Sequence, residues 1–509
     1  MDELNNLVKI VTGRRLPVTP LLDFANRNDS KESKLIHLLE KQPDSTSLQL
    51  VRLIYGKPTQ ANQVSFRKLK SRVQQKLLNN LYFLDHDDPR FPVARRYDVQ
   101  CVQLFQQANI LRLEGEYALS EKIMSKCFRI SIDSDFVLYA ILSARVLRTL
   151  YAERRQPAKF AIISKKLRNL QHVFEIEEEA ESIYSSIKMS LAHTVRMRRT
   201  LLDKLPKLIN ELDILYKKAN SYLTFYYTYM AKMNYYELIG DYEEIIKYSN
   251  NINNLWDKNK INKQRFDKRF NNFMSVYAHL RKRQISKGLK LAEQYLKDFH
   301  YSSGNWFYFM EHYFLLAMYA GKYSQARELL MASRKNPYYR KQRAAAQQRW
   351  DLFEAYLHFV FPEASPTRAM HFARFIQSVP DYGRDKQGYN VAILILQFLY
   401  YLRAHDIEAL LARLEGLRKY QQRHLRDAAT LRSQLFFRLL LLTVKEDFNA
   451  KVSEKKGQAL LTRLREAPQP GEAFAEIEII PYEDLWTITL EILHYWNDVE
   501  PNRPPVRFS

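Results

Sequence analysis

Glycine is scarce in this chain, with 12 in 509 residues, well under half the ~7% share of an average protein. Nucleotide-binding and hydrolytic α/β folds spend glycine on phosphate loops and tight strand-to-helix turns, so the shortage argues against them. Cysteine is scarcer still: Cys101 and Cys127 are too few for a disulfide framework and form no CxxC pair, and both sit in helical patterns as small buried hydrophobes. Long apolar runs are absent. The longest, Val391 to Leu402, is interrupted by Gln397 and falls short of the ~18 residues that suggest a membrane span. The opening Met1-Asp2-Glu3-Leu4-Asn5-Asn6 is acidic and polar, unlike a signal peptide, and the expected compartment is cytoplasmic and reducing. Acidic residues are also in deficit, 56 against 79 Lys and Arg, for a net charge of +23.

Catalytic and metal-binding motifs are missing as well. Gly383-Arg384-Asp385-Lys386-Gln387-Gly388 has phosphate-loop glycine spacing, but Tyr389-Asn390 follows where Lys and Ser or Thr must hold phosphate and magnesium. Asp85-His86-Asp87-Asp88 offers ligand types, yet adjacent residues cannot all face one ion, and the prolines nearby mark a linker. The twelve His show no HExxH or paired Cys/His spacing, and no GxSxG elbow or nucleophilic cysteine signature occurs. The run Glu175 to Glu181 reads as a solvated helix face. The expectation is therefore a chain that is not an enzyme, with no catalytic residues, no metal and no cofactor.

What is present is repetition. Leu113-Glu114-Gly115-Glu116-Tyr117-Ala118, Ile239-Gly240-Asp241-Tyr242 and Ala320-Gly321-Lys322-Tyr323-Ser324-Gln325-Ala326 each lie between two amphipathic helical patterns and read as turns of helix hairpins. Weaker copies fill the gaps at Gln156, Arg198, Arg283, Ser365, Ala404 and Glu446. Together these give nine marks at a spacing of roughly 40 residues, a two-helix unit somewhat longer than 34. The Gly-x-Tyr-x-x-Ala turn at Gly115 and Gly321 resembles the inter-helix signature of tetratricopeptide-like (TPR-like) repeats. The Trp and Leu-Gly positions of that family's first helix are absent. The resemblance implies an all-α TPR-like α-solenoid of about nine helix hairpins over residues 93–475, each unit touching only its neighbours. It further implies protein or peptide recognition on a concave face without intrinsic chemistry.

Residues 1–92 lie outside the repeat and read as a small helical module. Lys31 to Lys41 is a short amphipathic helix, and Asp44-Ser45-Thr46 caps a second at Ser47 to Tyr55, stopped by Gly56-Lys57-Pro58. Thr59-Gln60-Ala61 opens a third, with Phe66, Leu69, Val73, Leu77, Leu81 and Leu84 at helical spacing. Asn62, Gln63, Arg67, Lys68, Lys70 and Arg72 on that helix are candidate nucleic-acid-binding residues, since Arg reads guanine and Asn or Gln reads adenine. Leu50 to Gly56 followed by Phe66 to Val73 is similar to the winged-helix module that precedes TPR-like repeats in some bacterial transcriptional activators, although no hairpin pattern for a wing follows Leu84. Either the module reads DNA or it caps the array, whose end units would otherwise expose core.

Two aromatic stretches crowd rings onto more than one helix face. Tyr222, Tyr226, Tyr229, Trp306, Tyr308, His312 and Tyr313 are the candidate lining of a partner-binding groove, the alternative being packing between repeats. Basic clusters at 145–159, 196–199, 258–269, 281–283 and 334–343 either align into a track for polyanions or scatter as solubilising charge. After Pro468-Gln469-Pro470-Gly471, a short extended segment at 477–481 and a closing helix at 482–497 make a C-terminal element, 476–509, with a loose tail at Pro501, Pro504 and Pro505. The sequence thus reads as a protein- or peptide-binding scaffold, with a transcriptional regulator or other nucleic-acid binder as the alternative.

Overall fold

The computed structural model describes residues 2–14, 21–22, 30–86, 88, 91–191, 195–362, 389–411, 414, 430–468 and 478–499. The elements among them are helical, with no strand. The glycine-spaced segment 383–388, the turn expected near Ser365, most of the break at 468–477 and the proline tail lie outside the described residues. No helix among the described residues is long and apolar enough to cross a membrane.

Packing divides the chain into two compact units, residues 1–91 with 95–166, and residues 92–94 with 167–509. The first unit opens with α1 (Asp2–Arg14), α2 (Lys31–Lys41), α3 (Ser47–Tyr55) and α4 (Gln60–Asn80). The hydroxyls of Ser30, Thr46 and Thr59 cap α2, α3 and α4, and Gly56 at φ +85° ends α3. Leu35, Leu50, Val51, Ile54, Phe66, Leu69 and Val73 form their shared core. α5 (Ala94–Leu113), α6 (Tyr117–Asp133), α7 (Val137–Glu153) and the start of α8 (Pro157–Leu191) follow. Cys101 and Cys127 are fully buried free thiols there.

The second unit continues with α9 (Val195–Ala219), α10 (Tyr222–Ile239), α11 (Tyr242–Asp257), α12 (Lys268–Arg281), α13 (Ile285–Tyr295), α14 (Gly304–Tyr319), α15 (Tyr323–Lys335) and α16 (Ala344–Val360). It closes with α17 (Tyr389–Arg403), α18 (Leu431–Lys445), α19 (Ala450–Glu466) and α20 (Tyr482–Val499). The apolar run at 391–402 is the buried face of α17, with Gln397 itself buried.

One turn recurs along the chain. At Gly115, Gly240 and Gly321 the backbone takes φ of +83°, +74° and +65°. The next amide reaches back five residues, from Glu116 to Leu111, Asp241 to Tyr236 and Lys322 to Ala317, each at 2.9 Å. This is the Schellman closure, which satisfies the last helical carbonyls. The same pair of bonds closes helices at Asp135, Arg155, Asn259, Arg283, His405 and Asp447, all at positive φ without glycine. The marks expected at Gln156, Arg283, Ala404 and Glu446 therefore fall at such turns. Those at Asp135 and Asn259 carry no glycine signature, and Asp and Asn are the residue types that tolerate this conformation best.

Two expectations are corrected. The turn expected at Arg198 lies inside α9, and the preceding interval is filled by α8, a single helix of 35 residues. No glycine interrupts it, and Ile176, Ala180, Tyr184 and Ile187 keep one face buried for its last four turns. Glu178, Glu179 and Glu181 of the acidic run are exposed on α8, but Glu177 is buried. The restriction of contacts to neighbours also fails. The start of the closing helix meets a turn 200 residues earlier in sequence, where Arg283 pairs with Glu483 at 3.0 Å, and described residues from Val276 to Trp496 belong to one hydrophobic cluster.

Arg432 of α18 anchors that junction. Its side chain is 2% exposed and bonds the Glu478 carboxylate through Nε and, at 3.1 Å, through Nη2. Nη2 also reaches Glu483 at 3.0 Å, and Nη1 donates to the carbonyls of Leu464 and Ala467. Tyr319 of α14 donates to the Glu478 carbonyl at 2.8 Å. Burial would raise the Glu483 carboxyl, but the Arg283 hydrogen bond and the charges of Arg432 and Arg283 outweigh it and hold it below the usual value.

Candidate functional site

Helical spacing brings two rows of rings face to face in the second unit. On α10, Tyr222, Tyr226 and Tyr229 lie at i, i+4 and i+7, one face of a helix. Phe266, Phe270 and Phe273 repeat that spacing at the entry to α12. With Phe299, Asn305 and Tyr308 they surround a cavity of about 580 Å³. Tyr229 is 1% exposed and lies at the floor, its hydroxyl donating to Asn271 Oδ1 at 3.1 Å. Tyr308, 47% exposed, and Phe270 stand at the rim. Tyr229 meets Phe266 and Phe270 edge-on at 75° and 89°, and Phe273 lies 5.2 Å from Tyr308, so the rings enclose a hollow.

Charge enters from one side. The Arg265 guanidinium lies 4.6 Å above the Tyr222 ring, whose hydroxyl donates to the Arg265 carbonyl at 3.2 Å. Asp267 caps α12 by accepting from the Arg269 amide at 3.0 Å, and its carboxylate holds the Arg269 side chain through Nε at 2.9 Å and Nη2 at 2.6 Å. Burial raises the phenol pKa of both Tyr226 and Tyr229, so these rings are neutral walls.

Of the seven groove candidates, Tyr222, Tyr226, Tyr229 and Tyr308 line the cavity. His312 stands behind it, 4.9 Å from both Phe273 and Tyr308, with Nδ1 2.9 Å from the Tyr308 carbonyl. Burial, helped by the charges of Arg281 and Arg349, outweighs that carbonyl and lowers its pKa to about 4. Trp306 packs on Phe307, and Tyr313 accepts a hydrogen bond from Gln325 at 3.1 Å; both are packing residues. The sequence reading had Arg265 and Arg269 in a basic cluster without linking them to the groove, and it missed Phe266, Phe270 and Phe273, although their spacing is visible.

The six candidate nucleic-acid residues divide. The amides of Asn62 and Gln63 donate to the carbonyls of Lys57 at 2.8 Å and Pro58 at 3.1 Å, which secures the α3–α4 turn. Arg72 lies 3.8 Å from Glu32. Arg67, Lys68 and Lys70 are exposed on one stretch of α4.

Some members of the other basic clusters are paired within the fold. Arg154 and Lys159 share Glu121, Arg281 donates to the Tyr242 hydroxyl at 3.1 Å, and Arg334 bonds Asp351 and Glu354 at 2.6 Å each. The 196–199 side chains lie outside those described. In the 258–269 cluster Lys258, Lys260, Lys263 and Lys268 are exposed, as are Lys335, Arg340, Lys341 and Arg343 in the 334–343 cluster. Among the described residues no group of three His, Cys, Asp or Glu is arranged to hold a metal ion. Comparison with known protein families, curated proteins and solved structures finds no match to this chain.

Proposed function

We propose that this chain is a non-enzymatic, TPR-like helical repeat protein that binds a protein or peptide partner through the aromatic cavity of its second unit, in a cytoplasmic setting. The cavity carries the proposal. Its volume of about 580 Å³ is that of a ligand site, lined by aromatic rings with a few polar groups at the rim. Its lining includes no Ser, Cys, Lys or His, and its one carboxylate, Asp267, is held by Arg269, so it favours burial of a side chain over bond-making. The recurring Schellman turn supports the repeat reading, and the two buried free thiols support a reducing compartment.

Selection of a random peptide library against the full chain tests the proposal. Enriched peptides are expected to compete with one another and to bind Tyr308→Ala about tenfold more weakly, in line with loss of one aromatic contact. Failure to enrich any peptide that the variant discriminates would refute it.

A second reading, nucleic-acid binding by the 1–92 module of a transcriptional regulator, draws on the exposed Arg67, Lys68 and Lys70 of a three-helix core. Gel-shift titration of the full chain at about 50 and about 200 mM salt tests it. Changing all three to Ala should flatten the salt dependence by up to ~3 logarithmic units per tenfold in salt. Absence of a shift at low salt removes this reading.

A further inference from the structure

The loop that builds one wall of the cavity also carries an excess of positive charge. Between 258 and 269 it carries Lys258, Lys260, Lys263, Arg265, Lys268 and Arg269 against one carboxylate, Asp267. Lys258, Lys260 and Lys268 are exposed and have no acidic partner among the described residues. Lys263 lies 5.4 Å over the Trp256 ring. Some exposed lysines elsewhere are paired, as Lys159 is with Glu121 and Lys456 with Glu446. Unbalanced cations beside an apolar hollow complement a ligand that is itself apolar at one point and anionic around it.

We propose that the cavity and this loop together receive an acidic segment of a partner protein, one aromatic side chain entering between Tyr226, Phe273 and Tyr308 while flanking carboxylates meet Lys260, Lys263 and Lys268. This rests on the peptide-binding reading of the same cavity. Geometry favours a peptide over single-stranded nucleic acid, which needs successive flat platforms along a basic track. Here Tyr222 and Tyr226 stack on one another, Tyr229 meets Phe266 and Phe270 edge-on, and the rings close around one hollow instead of lining a track. The cations occupy one short loop, which suits a few carboxylates.

Fluorescence anisotropy with the full chain tests this. The probe is fluorescein-labelled Glu-Asp-Glu-Trp-Glu-Asp, compared with Gln-Asn-Gln-Trp-Gln-Asn, with the acidic peptide carrying Ala for Trp, and with oligothymidine. The acidic Trp peptide should bind saturably and about tenfold more tightly than either control peptide, and raising salt from about 50 to about 300 mM should weaken it several-fold. Tyr308→Ala, and separately Lys260→Glu with Lys268→Glu, should each weaken it about tenfold. All three sites are exposed, and unchanged unfolding midpoints should show the variants folded. Equal binding of the neutral Trp peptide, still weakened by Tyr308→Ala, would overturn the acidic element while leaving the peptide-binding reading intact. Tighter binding of oligothymidine, lost on charge reversal, would overturn the proposal in favour of nucleic acid. No binding of the acidic peptide, with library-selected peptides still competing for the cavity, would overturn it alone.

Discussion

Replacing Arg432 with Met should destabilise the second unit by about 3–5 kcal/mol, because it breaks a buried ion pair and leaves one partner behind. Glu478 is 1% exposed, so water cannot solvate its carboxylate, and Arg283 at 3.4 Å remains as a more distant cation. The carbonyls of Leu464 and Ala467 lose their donor as well, each orphaned group costing about 1–3 kcal/mol if no water replaces it. These losses overlap, which places the total near the upper end of the range. Adding Glu478→Leu should recover most of the stability, since two apolar groups carry no uncompensated charge. Urea unfolding followed by tryptophan fluorescence measures this, because Trp486 is 2% exposed on α20, which packs against α18. Hydrogen exchange across α18 and α20 isolates it from unfolding of the other unit. A loss below about 1 kcal/mol for Arg432→Met, or a double variant no better than the single, would refute the reasoning.

Acid should act first at His312. Its folded pKa of about 4 lies below the unfolded value of about 6.5, so its contribution is present in full above pH 6.5 and is lost as pH falls toward 4, about 3 kcal/mol in all. His312→Gln should reduce the slope across that window, leaving the share of His279 and His358, whose pKa burial also lowers, and an unchanged slope would sink the assignment. Glu483, whose carboxyl is held down, contributes above about pH 4.3 and is lost below it, a separate window that Glu483→Gln should erase. At the turns, Gly321→Ala at φ +65° should cost about 1–2 kcal/mol although nothing lies within 4 Å of the new methyl, and Arg155→Gly at φ +54° should gain up to about as much. Thermal melts of both read the sign, and opposite signs would refute the left-handed strain. Gly457→Ala should destabilise by about 1 kcal/mol, its Cβ meeting the Trp486 ring at 3.0 Å and Leu439 at 3.2 Å, despite the helix-propensity gain. A higher melting point would show that the helices can part.

The all-helical class, the capped boundaries of α2 to α4 and the glycine turns were legible because they depend on local chemistry. Periodicity, a capping hydroxyl and a residue that accepts positive φ each act within a few residues. Asp135 and Asn259 escaped notice because they make the same turn without its glycine marker. The aromatic stretches at 222–229 and 306–313 were recognised separately. That four of those seven residues share one hollow with Phe266, Phe270 and Phe273 depended on how α10, α12 and α14 pack.

The caps and the glycine-marked turns follow from the residues themselves, since each is decided by rotation about neighbouring bonds and hydrogen bonds a few residues away, whereas the turn expected at Arg198 gave way to a continuous helix. Which rings enclose space, which arginines are consumed by carboxylates and which lysines remain exposed were decided only by the tertiary structure. Arg283 and Glu483 lie 200 residues apart, and no pattern in composition, spacing or charge specifies that such distant groups will meet.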